Sequence, residues 1–460
     1  MAERIALFGG SFNPPGMHHR LVVERLLQSF ERVVIIPCGF RPDKETTNDV
    51  EPIHRAVMAD LAFGDLPGAE VVLDDLEQGI FTRTHQLDQI YREQGEVWHV
   101  VGGDLIKEGK DRRSVIQREW QKGPQVWQDC NFAVVARPGY RYSQDDLPPH
   151  NQMMTPIVEG SSSEIRQRAF NHLPYGDLVT ARVAQYIERY ALYRGRPPYH
   201  SARFSLEEPR PFVFCDTQNS RACELARGLD SFPSPNCILV LGGDGTMLRA
   251  IREHWRLRLP FIGINLGHYG FKLNEDDGSI IDGDQVRLQD LVIRNLPLLY
   301  VQTSDNQGSV TDHLAFNDVW IERQGGQTAW IEVAVDKVVR LHKLVGDGVL
   351  IATAAGSTAY ASAMGASALP VDAPVLIMAG SNVFSPAGWK VANLPLEADI
   401  ELRGLDTGKR PLDGFVDGEP LGEVVRLCAR ISRTASAEVA FVPTYDIAEK
   451  LTRIQFPEGG

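Results

Sequence analysis

A carboxylate set among glycines is the residue pattern in this chain best suited to phosphate chemistry. The stretch Gly242-Gly243-Asp244-Gly245-Thr246 comes directly after an apolar run at 238–241. This order predicts a buried strand entering a tight turn, whose amides can approach a phosphate closely because glycine has no Cβ. The carboxylate would repel that phosphate unless it bound a cation or accepted a proton from the reacting hydroxyl. The residue pattern therefore predicts that Asp244 either binds a cation or accepts that proton.

Other glycine-rich turns follow apolar runs elsewhere in the chain. Gly-Asp-Gly lies at 346–348, Gly-Ser-Thr-Ala-Tyr lies at 356–360, and Gly-Gly-Ser-Phe-Asn-Pro-Pro lies near the start at 9–15. Turns of this kind predict phosphate binding. Their presence in both halves indicates nucleotide chemistry carried out twice in one chain.

The composition limits the partners that the chain can have. A formal net charge of −13 predicts that it binds neither nucleic acid nor an anionic membrane, although nucleotides can still be captured locally. The six cysteines are scattered without a Cys-x-x-Cys pair, which predicts reduced thiols in the cytoplasm. We expect no signal peptide and no membrane helix, because no apolar run nears the ~20 residues that a span requires.

A Pro-rich, basic segment at 194–203 predicts a domain boundary. The expected organisation is a domain at 1–195, a linker at 196–209 and a second domain at 210–460. In the first domain strands alternate with amphipathic helices, which predicts a Rossmann-like, doubly wound parallel sheet with ligands at the strand carboxyl ends. The second is expected to combine an α/β part (about 210–297), a β-sandwich part (about 298–425) and a C-terminal return segment (about 426–460).

The turn at 9–15 leads to His18 and His19 and then to a predicted helix, whose N-terminus favours an anion. Downstream, Ser-Ser-Ser-Glu-Ile-Arg at 161–166 places hydroxyls at another helix start, a pattern that an ordinary N-cap also explains. With Gly-Gly-Asp at 102–104, these motifs resemble the nucleotidylyltransferase superfamily. The resemblance is closest to nicotinate/nicotinamide mononucleotide adenylyltransferases and covers about residues 3–194.

That resemblance implies in-line attack of a mononucleotide phosphate on the α-phosphorus of ATP, which releases pyrophosphate and forms a dinucleotide. It also implies that His19 is catalytic, that Asp104 holds a ribose hydroxyl and that Thr82 and Thr84 read the pyridine ring. The residues that it places against ATP and the mononucleotide are Gly10, Ser11, Phe12, His18, Lys44, Thr84, Gly103, Asp104, Ser162, Ser163 and Arg166.

One position departs from the adenylyltransferase pattern. The family has His/Thr-x-Gly-His after the prolines, whereas this chain reads Gly16-Met17-His18-His19. Aligned without a gap, His19 matches the second histidine and Gly16 replaces the first residue. A gap of one residue would make His18 the second histidine instead. The first domain is therefore either an active enzyme or a degenerate nucleotide-binding module.

The turn around Asp244, together with the stretches at 263–271, 317–318, 346–348 and 353–360, resembles NAD kinase over roughly 210–445. This resemblance implies an NAD kinase type of fold and phosphorylation of the adenosine 2′-hydroxyl of NAD. Asp244 would be the base, with Mg²⁺ or another divalent cation and with ATP as co-substrate, or polyphosphate as an alternative donor. The residues implied to face NAD and phosphate are Gly243, Gly245, Thr246, Asn317, Asp318, Asp347, Thr358, Ala359 and Tyr360.

The two resemblances share a metabolite, because the dinucleotide made by the first domain is the substrate of the second. The partners implied are ATP, a nicotinate or nicotinamide mononucleotide and NAD, and the kinase family commonly forms homo-oligomers. No metal-ligating residue is predicted. One rival hypothesis pairs an active kinase with a non-catalytic first domain. Another makes both domains nucleotide sensors, against which the carboxylate of Asp244 argues.

Overall fold

The structure is a computed structural model that describes residues 3–41, 50–136, 143–154, 160–195, 201–230, 232–267, 270–283, 285–445 and 447–456. The chain divides into two compact units, residues 1–199 and residues 200–460. Each unit has its own sheets and its own apolar core.

The first unit alternates strands and helices along the chain. Its elements are β1 (Arg4–Gly10), α1 (Met17–Leu26), β2 (Arg32–Pro37), α2 (Pro52–Phe63), β3 (Ala69–Val71), α3 (Asp74–Gln78), α4 (Thr84–Arg92), β4 (Glu96–Gly102), α5 (Val115–Glu119), α6 (Gly123–Asp129), β5 (Asn131–Val135), β6 (Asn151–Met154), α7 (Ser162–Phe170) and α8 (Ala181–Tyr190). A short 3-10 turn follows β4 over Gly103–Leu105.

These strands form one six-stranded sheet in the order β3-β2-β1-β4-β5-β6, and every neighbouring pair is parallel. The predicted doubly wound sheet is therefore confirmed. The strand order reverses between β1 and β4, so the crevice outside their carboxyl ends is the place where such a sheet binds ligands. Gly10 ends β1 and Gly102 ends β4 at this edge.

The second unit is richer in strands. Its elements are β7 (Ser201–Leu206), β8 (Pro211–Cys215), α9 (Ser220–Arg227), β9 (Cys237–Gly242), α10 (Asp244–His254), β10 (Phe261–Asn265), β11 (Asn274–Glu275), β12 (Ile281–Asp282), β13 (Gln285–Val286), β14 (Leu288–Ser304), β15 (Val310–Ala315), β16 (Asp318–Arg323), β17 (Ala329–Val335), β18 (Val338–Gly346), β19 (Gly348–Thr353), α11 (Tyr360–Ala363), β20 (Val375–Ser381), β21 (Val391–Pro395), β22 (Ile400–Gly404), β23 (Leu412–Val416), β24 (Glu419–Glu423), β25 (Arg426–Phe441) and α12 (Ile447–Gln455).

The larger sheet of this unit runs through both the expected α/β part and the expected sandwich part. Strands β8, β9 and β10 are parallel, and β25 joins β10 at one end and the antiparallel strands β22 and β14 along its length. A six-stranded antiparallel sheet, β21-β20-β19-β16-β23-β24, shares an apolar core with the larger sheet, which completes the sandwich. The expected α/β part and the expected sandwich part therefore share long strands. One of these, β14, crosses the expected division at 297/298.

The expected linker at 196–209 also differs from the structure. Residues 201–206 form β7, which pairs antiparallel with β14, for example Phe204 with Leu291. Phe204 is 6% exposed and belongs to the core of the second unit. The basic, Pro-rich composition indicated the domain boundary. It gave no sign of this strand, because Phe204 is the only large apolar residue of the strand interior and one such residue makes no alternating pattern.

Two further expectations concern thiols and membranes. All six cysteines are free in the structure. Within the described ranges, no helix combines the length and the apolar character that crossing a membrane would demand.

Candidate active sites

The glycine-rich turn of the second unit connects β9 to α10, and its glycines have different surroundings. Gly242 has φ +158°, and a Cβ placed on it would lie 2.5 Å from the Thr246 hydroxyl, so the fold itself requires glycine there. Among the residues that the structure describes, and apart from its own helix and chain neighbours, a Cβ on Gly243 or Gly245 would meet no atom within 4 Å. Both glycines lie at the N-terminus of α10, where the free backbone N–H groups and the helix dipole favour an anion.

The carboxylate of Asp244 is anchored by the loop that follows β10. Its two oxygens accept hydrogen bonds from the backbone N–H groups of Phe271 at 3.0 Å and Lys272 at 2.9 Å. Asp244 is also the first residue of α10. The turn and the loop at 270–273 therefore form one structure that holds this carboxylate in place.

The C-terminal segment holds the same loop from its other side. The Lys450 ammonium donates hydrogen bonds to the carbonyl oxygens of Gly270 at 2.7 Å and Leu273 at 2.9 Å, and the Tyr445 hydroxyl donates to the carbonyl of Phe271. Lys450 also forms an ion pair with Glu275 at 2.9 Å. These contacts join α12 to the residues whose amides bind Asp244.

Asn317 and Asp318 stand at the start of β16 and are buried, with 8% and 3% exposure. Asp417 shapes this turn, because its carboxylate accepts N–H bonds from Phe316 and Asn317 at 2.8 Å and from Asp318 at 3.2 Å. Among the residues that the structure describes, no group bonds the buried Oδ1 of Asn317. A buried acceptor without a partner is costly, so a hydrogen-bond donor on a ligand would satisfy it.

Asp318 lies in an environment that disfavours its charged form. Burial and, to a smaller extent, the nearby Asp417 raise the pKa of its carboxyl to about 7, while the Lys272 ammonium opposes the shift. Lys272 is itself 2% exposed. A buried lysine thus brings positive charge close to this pair of carboxyl groups.

The turn at 353–358 packs directly on Asn317. A Cβ on Gly356 would lie 2.3 Å from the Asn317 carbonyl oxygen, so only glycine permits this approach. The Thr353 hydroxyl donates to the Phe316 carbonyl at 2.8 Å and accepts from the Gly356 amide at 3.2 Å. A narrow cleft has Phe271 on one side and Thr358 on another, so the turn also borders the loop that anchors Asp244.

Beyond Thr358, Ala359 leads into α11, which begins at Tyr360. The Tyr360 ring is edge-on to Trp320 at 5.0 Å, and Trp320 stacks on Phe415 at 4.8 Å. Asp347 accepts hydrogen bonds from Arg323 at 2.6 Å and Asn382 at 2.7 Å, which lower the pKa of its carboxyl. These groups give the site an aromatic and acidic border.

In the first unit, a buried arginine holds the turn after β1. The guanidinium of Arg55, 1% exposed, donates to the Ser11 carbonyl at 2.7 and 2.9 Å and to the Cys38 carbonyl at 2.6 Å. The Cys38 amide donates to the Gly10 carbonyl at 2.9 Å. Phe12 has φ +42° and is 1% exposed, so the chain turns sharply here and inserts this ring into the core.

His19 serves as a cap at the start of α1. Its Nδ1 accepts a hydrogen bond from the Gly16 amide at 3.1 Å, and its ring packs edge-on against Phe12 at 5.1 Å. Because Nδ1 is an acceptor, the proton of the neutral ring is assigned to Nε2. Nε2 of His19 is therefore a hydrogen-bond donor next to the amides at this helix N-terminus.

The helix α7 is tied to the same turn. The Ser162 hydroxyl donates to the Pro14 carbonyl at 2.8 Å, and Arg166 donates to the Asn13 carbonyl at 2.7 Å and to Ser163 at 3.3 Å. Ser161 caps the helix by accepting from the Glu164 amide at 3.1 Å. The turn at 9–15 and the stretch at 161–166 therefore lie side by side, although about 150 residues separate them in the sequence.

A cavity of about 290 Å³ opens beside the turn that follows β1. Gly9, Gly10 and Thr84 contribute to its walls, together with the ring of Trp120. Thr82 also lines it and donates its hydroxyl to the buried Asp75 at 2.5 Å. Part of its wall comes from residues at or near the ends of β1 and β4, as expected for ligand binding at the point where strand order reverses. Asp104 and Gly103 lie in the 3-10 turn next to Leu105, another lining residue.

Comparison with known proteins bears on both units. Residues 227–274 match the family model of the ATP-NAD kinase N-terminal domain, and residues 7–168 match the cytidylyltransferase-like model. An NAD kinase from Cereibacter sphaeroides (strain ATCC 17025 / ATH 2.4.3) is 35% identical over 235 residues, which are 51% of this chain and 91% of that protein. An NAD kinase from Rickettsia bellii (strain OSU 85-389) is 30% identical over 253 residues, 55% of this chain and 92% of that protein.

The chain belongs to the NAD kinase family. Its N-terminal part carries a cytidylyltransferase-like domain of the nucleotidyltransferase superfamily. Among solved structures, an NAD kinase from Archaeoglobus fulgidus in complex with ATP matches with a TM-score of 0.40 and 19% identity, over 53% of this chain and 98% of that chain. A yeast NADH kinase complexed with NADH matches with a TM-score of 0.42 and 14% identity, over 79% and 88% of the two chains.

Some predicted site residues have other surroundings in this NAD kinase family member than expected. Thr246 is 3% exposed and lies beneath the turn, where its side chain faces Gly242 instead of the open side. A side chain at position 16 would require the His18 ring to move, because a Cβ on Gly16 would lie 2.6 Å from that ring. Lys44 lies outside the described residues.

Several residues that support the sites are absent from the sequence-based predictions. In the second unit, the only sequence feature that points to Asp417 is its place in an Asp-Gly pair, in the hairpin between β23 and β24. For Lys272, the only such feature is a charged residue between apolar neighbours. Nothing local signals Arg55 or Lys450. Their roles depend on contacts with carbonyl groups that are distant in the sequence.

Proposed function

We propose that the chain is a bifunctional enzyme of NAD(P) biosynthesis. The first unit would transfer the adenylyl group of ATP to nicotinate or nicotinamide mononucleotide, and the second would phosphorylate the adenosine 2′-hydroxyl of NAD. The observation that carries the proposal is that in each unit a glycine-containing turn follows a parallel strand and leads to a helix N-terminus, with one reactive side chain beside it. Those side chains are His19 and Asp244.

In the second unit, the chemistry requires a phosphate cradle and an acceptor for the hydroxyl proton. The amides at the start of α10 would form the cradle, and Asp244 is held by two backbone N–H groups that leave further lone pairs on its oxygens for a substrate hydroxyl. Asn317 and Asp318 would bind ribose hydroxyls, and Thr358, Ala359 and Tyr360 would border the dinucleotide. Phosphoryl transfer then depends on positioning and charge stabilisation.

Mg²⁺ would enter this site with ATP as part of the substrate. In the parts of the chain that the structure describes, neither glycine turn has three metal-ligating side chains grouped around it. Mg²⁺ commonly binds through substrate phosphates, water and one or two carboxylates. Asp244 or a neighbouring carboxylate would therefore be enough to complete its coordination.

In the first unit, adenylyl transfer has no covalent intermediate, so the site must orient ATP and stabilise charge on the α-phosphate. His19 and Arg166 each contact the segment that links β1 to α1, so the Nε2 donor of His19, the amides of α1 and the guanidinium of Arg166 would supply this stabilisation. Asp104 would hold a ribose hydroxyl, and the cavity beside Thr84 and Trp120 would take the pyridine mononucleotide.

The proposal is tested by incubating the full chain with ATP, Mg²⁺ and either mononucleotide, and in parallel with ATP, Mg²⁺ and NAD, with products separated by chromatography. We expect dinucleotide and pyrophosphate in the first reaction and NADP in the second. Replacing ATP by polyphosphate identifies the phosphoryl donor. Absence of NADP in the second reaction would contradict the kinase assignment.

The alternative is an active kinase joined to a non-catalytic nucleotide-binding domain, and the glycine at position 16 is the observation in its favour. The two proposals differ in one measurement. If neither mononucleotide is converted while NADP still forms, and if ATP still binds to the first unit, the alternative is correct. Light scattering on the same preparation tests the proposed homo-oligomer.

A further inference from the structure

Three buried side chains of metal-binding type meet in the first unit, outside the phosphate site. Asp88 comes from α4, His99 from β4 and Cys130 from the residue before β5. One ligand atom of each lies within 4.8 Å of the other two. Their exposures are 6%, 5% and 4%, and neither proposed reaction uses them.

The separations suit a tetrahedral ion. Oδ1 of Asp88 and Nε2 of His99 are 3.2 Å apart. In a tetrahedral zinc site with bonds of about 2.0 Å to oxygen and nitrogen, such atoms are about 3.3 Å apart. The other carboxylate oxygen of Asp88 pairs with Arg92, which fixes the side chain so that Oδ1 remains directed at His99.

The donor set selects a class of cation. One thiolate sulfur, one imidazole nitrogen and one carboxylate oxygen suit borderline-soft ions such as Zn²⁺, whereas Mg²⁺ and Ca²⁺ require oxygen ligands. Three protein ligands leave a fourth position for water or another small ligand. His99 also lines the cavity of about 290 Å³, so the cluster adjoins that cavity.

We propose that Asp88, His99 and Cys130 form a binding site for one zinc-class divalent cation beside the nucleotide cavity of the first unit. On binding, the thiol proton leaves to solvent, the neutral ring of His99 carries its proton on Nδ1, and the ion bonds to Sγ, Nε2 and Oδ1. The ion joins α4, β4 and the start of β5, so it stabilises this part of the sheet. This site is separate from the Mg²⁺ that accompanies ATP.

The test uses the full chain after chelator treatment and gel filtration. The protein is loaded with Zn²⁺ or Co²⁺ in the presence of excess Mg²⁺, desalted, and assayed for metal by mass spectrometry and for cobalt by absorption spectroscopy. We expect about one tightly held ion per chain and a thiolate-to-cobalt charge-transfer band. Mg²⁺ should not displace the ion, and Zn²⁺ should raise the melting temperature.

Cys130→Ala and His99→Gln should each lose the bound ion and the charge-transfer band. Cys223→Ala is the matched control, because this half-buried thiol lies in the second unit and should leave both signals unchanged. If wild type retains no ion after desalting, or if Cys130→Ala retains it, the cluster is only a hydrogen-bonded group of the core. Circular dichroism verifies that the variants fold, and the metal count is independent of either proposed activity.

Discussion

The imidazole ring of His18 occupies the space into which a side chain at Gly16 would extend. A Cβ on Gly16 would lie 2.6 Å from Nδ1 and Cε1 of that ring, and a Cβ on Gly160 would lie 2.7 Å from its Nδ1. The rings of His18 and His19 are 3.9 Å apart at their centroids. His18 therefore fills the place where the adenylyltransferase pattern has its first histidine or threonine.

This relationship predicts the outcome of restoring the family residue. Gly16→His alone should lower adenylyl transfer, since the new side chain must displace His18, and overpacking typically costs about 1–3 kcal/mol. The double variant Gly16→His with His18→Gly should recover much of the rate. Steady-state dinucleotide formation measures both. A faster Gly16→His single variant would show that the ring of His18 moves aside without cost.

The glycines around Asp244 allow a matched pair of substitutions. Gly245→Ala should lower NADP formation by about tenfold or more, because the new methyl occupies space open to a phosphate, and it should leave the melting temperature equal or higher, because alanine favours a helix. Gly242→Ala should destabilise the protein, because its φ of +158° and its contact with Thr246 exclude a side chain. Kinase assays and thermal unfolding of the two variants separate a ligand requirement from a folding requirement.

Asp244→Asn is a sharper test of the proposed base than Asp244→Ala. Alanine would leave the amides of Phe271 and Lys272 without their acceptor and disturb the loop, whereas asparagine keeps one oxygen in place. We expect Asp244→Asn to lower the kinase rate by about 10²–10⁴-fold, the usual contribution of a general base. Adenylyl transfer by the same protein is the internal control and should not change.

His19→Ala is the corresponding substitution in the first unit. His19→Ala should reduce adenylyl transfer by about 10²-fold, because it removes the Nε2 donor and the acceptor of the Gly16 amide together. NADP formation should be unaffected. If His18→Ala is the severe change and His19→Ala is silent, the gapped alignment of the histidine motif is correct.

Lys450 should influence the kinase without contacting substrate. Lys450→Met removes two hydrogen bonds to the loop that anchors Asp244 and one ion pair, so we expect a fall in kcat of about tenfold with a partial return in Lys450→Arg. Lys409→Met, which changes an exposed lysine of the same unit, is the control. An unchanged kcat in Lys450→Met would show that the loop holds Asp244 without help from α12.

Asp318 should make the stability of the second unit depend on pH. Its pKa is raised from 3.8 to about 7 in the folded protein, so the unfolded state loses this proton first as pH rises. The stabilisation is complete below pH 4 and is lost as pH rises to about 7. Asp318→Asn should therefore destabilise less at pH 8 than at pH 5, by about 1–3 kcal/mol, in urea unfolding at the two pH values. Equal effects at both pH values would place the pKa near its ordinary value.

Local sequence patterns were sufficient for the elements that carry the motifs. An apolar run followed by glycines predicts a buried strand and a turn without reference to the rest of the chain, and this holds at β1 and β9. Alternation of strands and helices likewise predicted the parallel sheet of the first unit. Both resemblances rest on such local stretches, which is why the two families could be named from the sequence.

Only the tertiary structure decided how these stretches meet. The Asp417 carboxylate organises the Asn317 turn from 100 residues away, and Lys450 reaches the loop at Gly270 across 180 residues. Such bonds depend on which strands pair and where a helix packs, and neither composition nor periodicity encodes them. The same is true of β25, whose 16 residues join the parallel and antiparallel parts of one sheet. The sequence by itself thus determined the turns and their reactive groups, while long-range packing decided which side chains hold those groups in place, because burial and hydrogen-bond geometry arise only when distant segments are in contact.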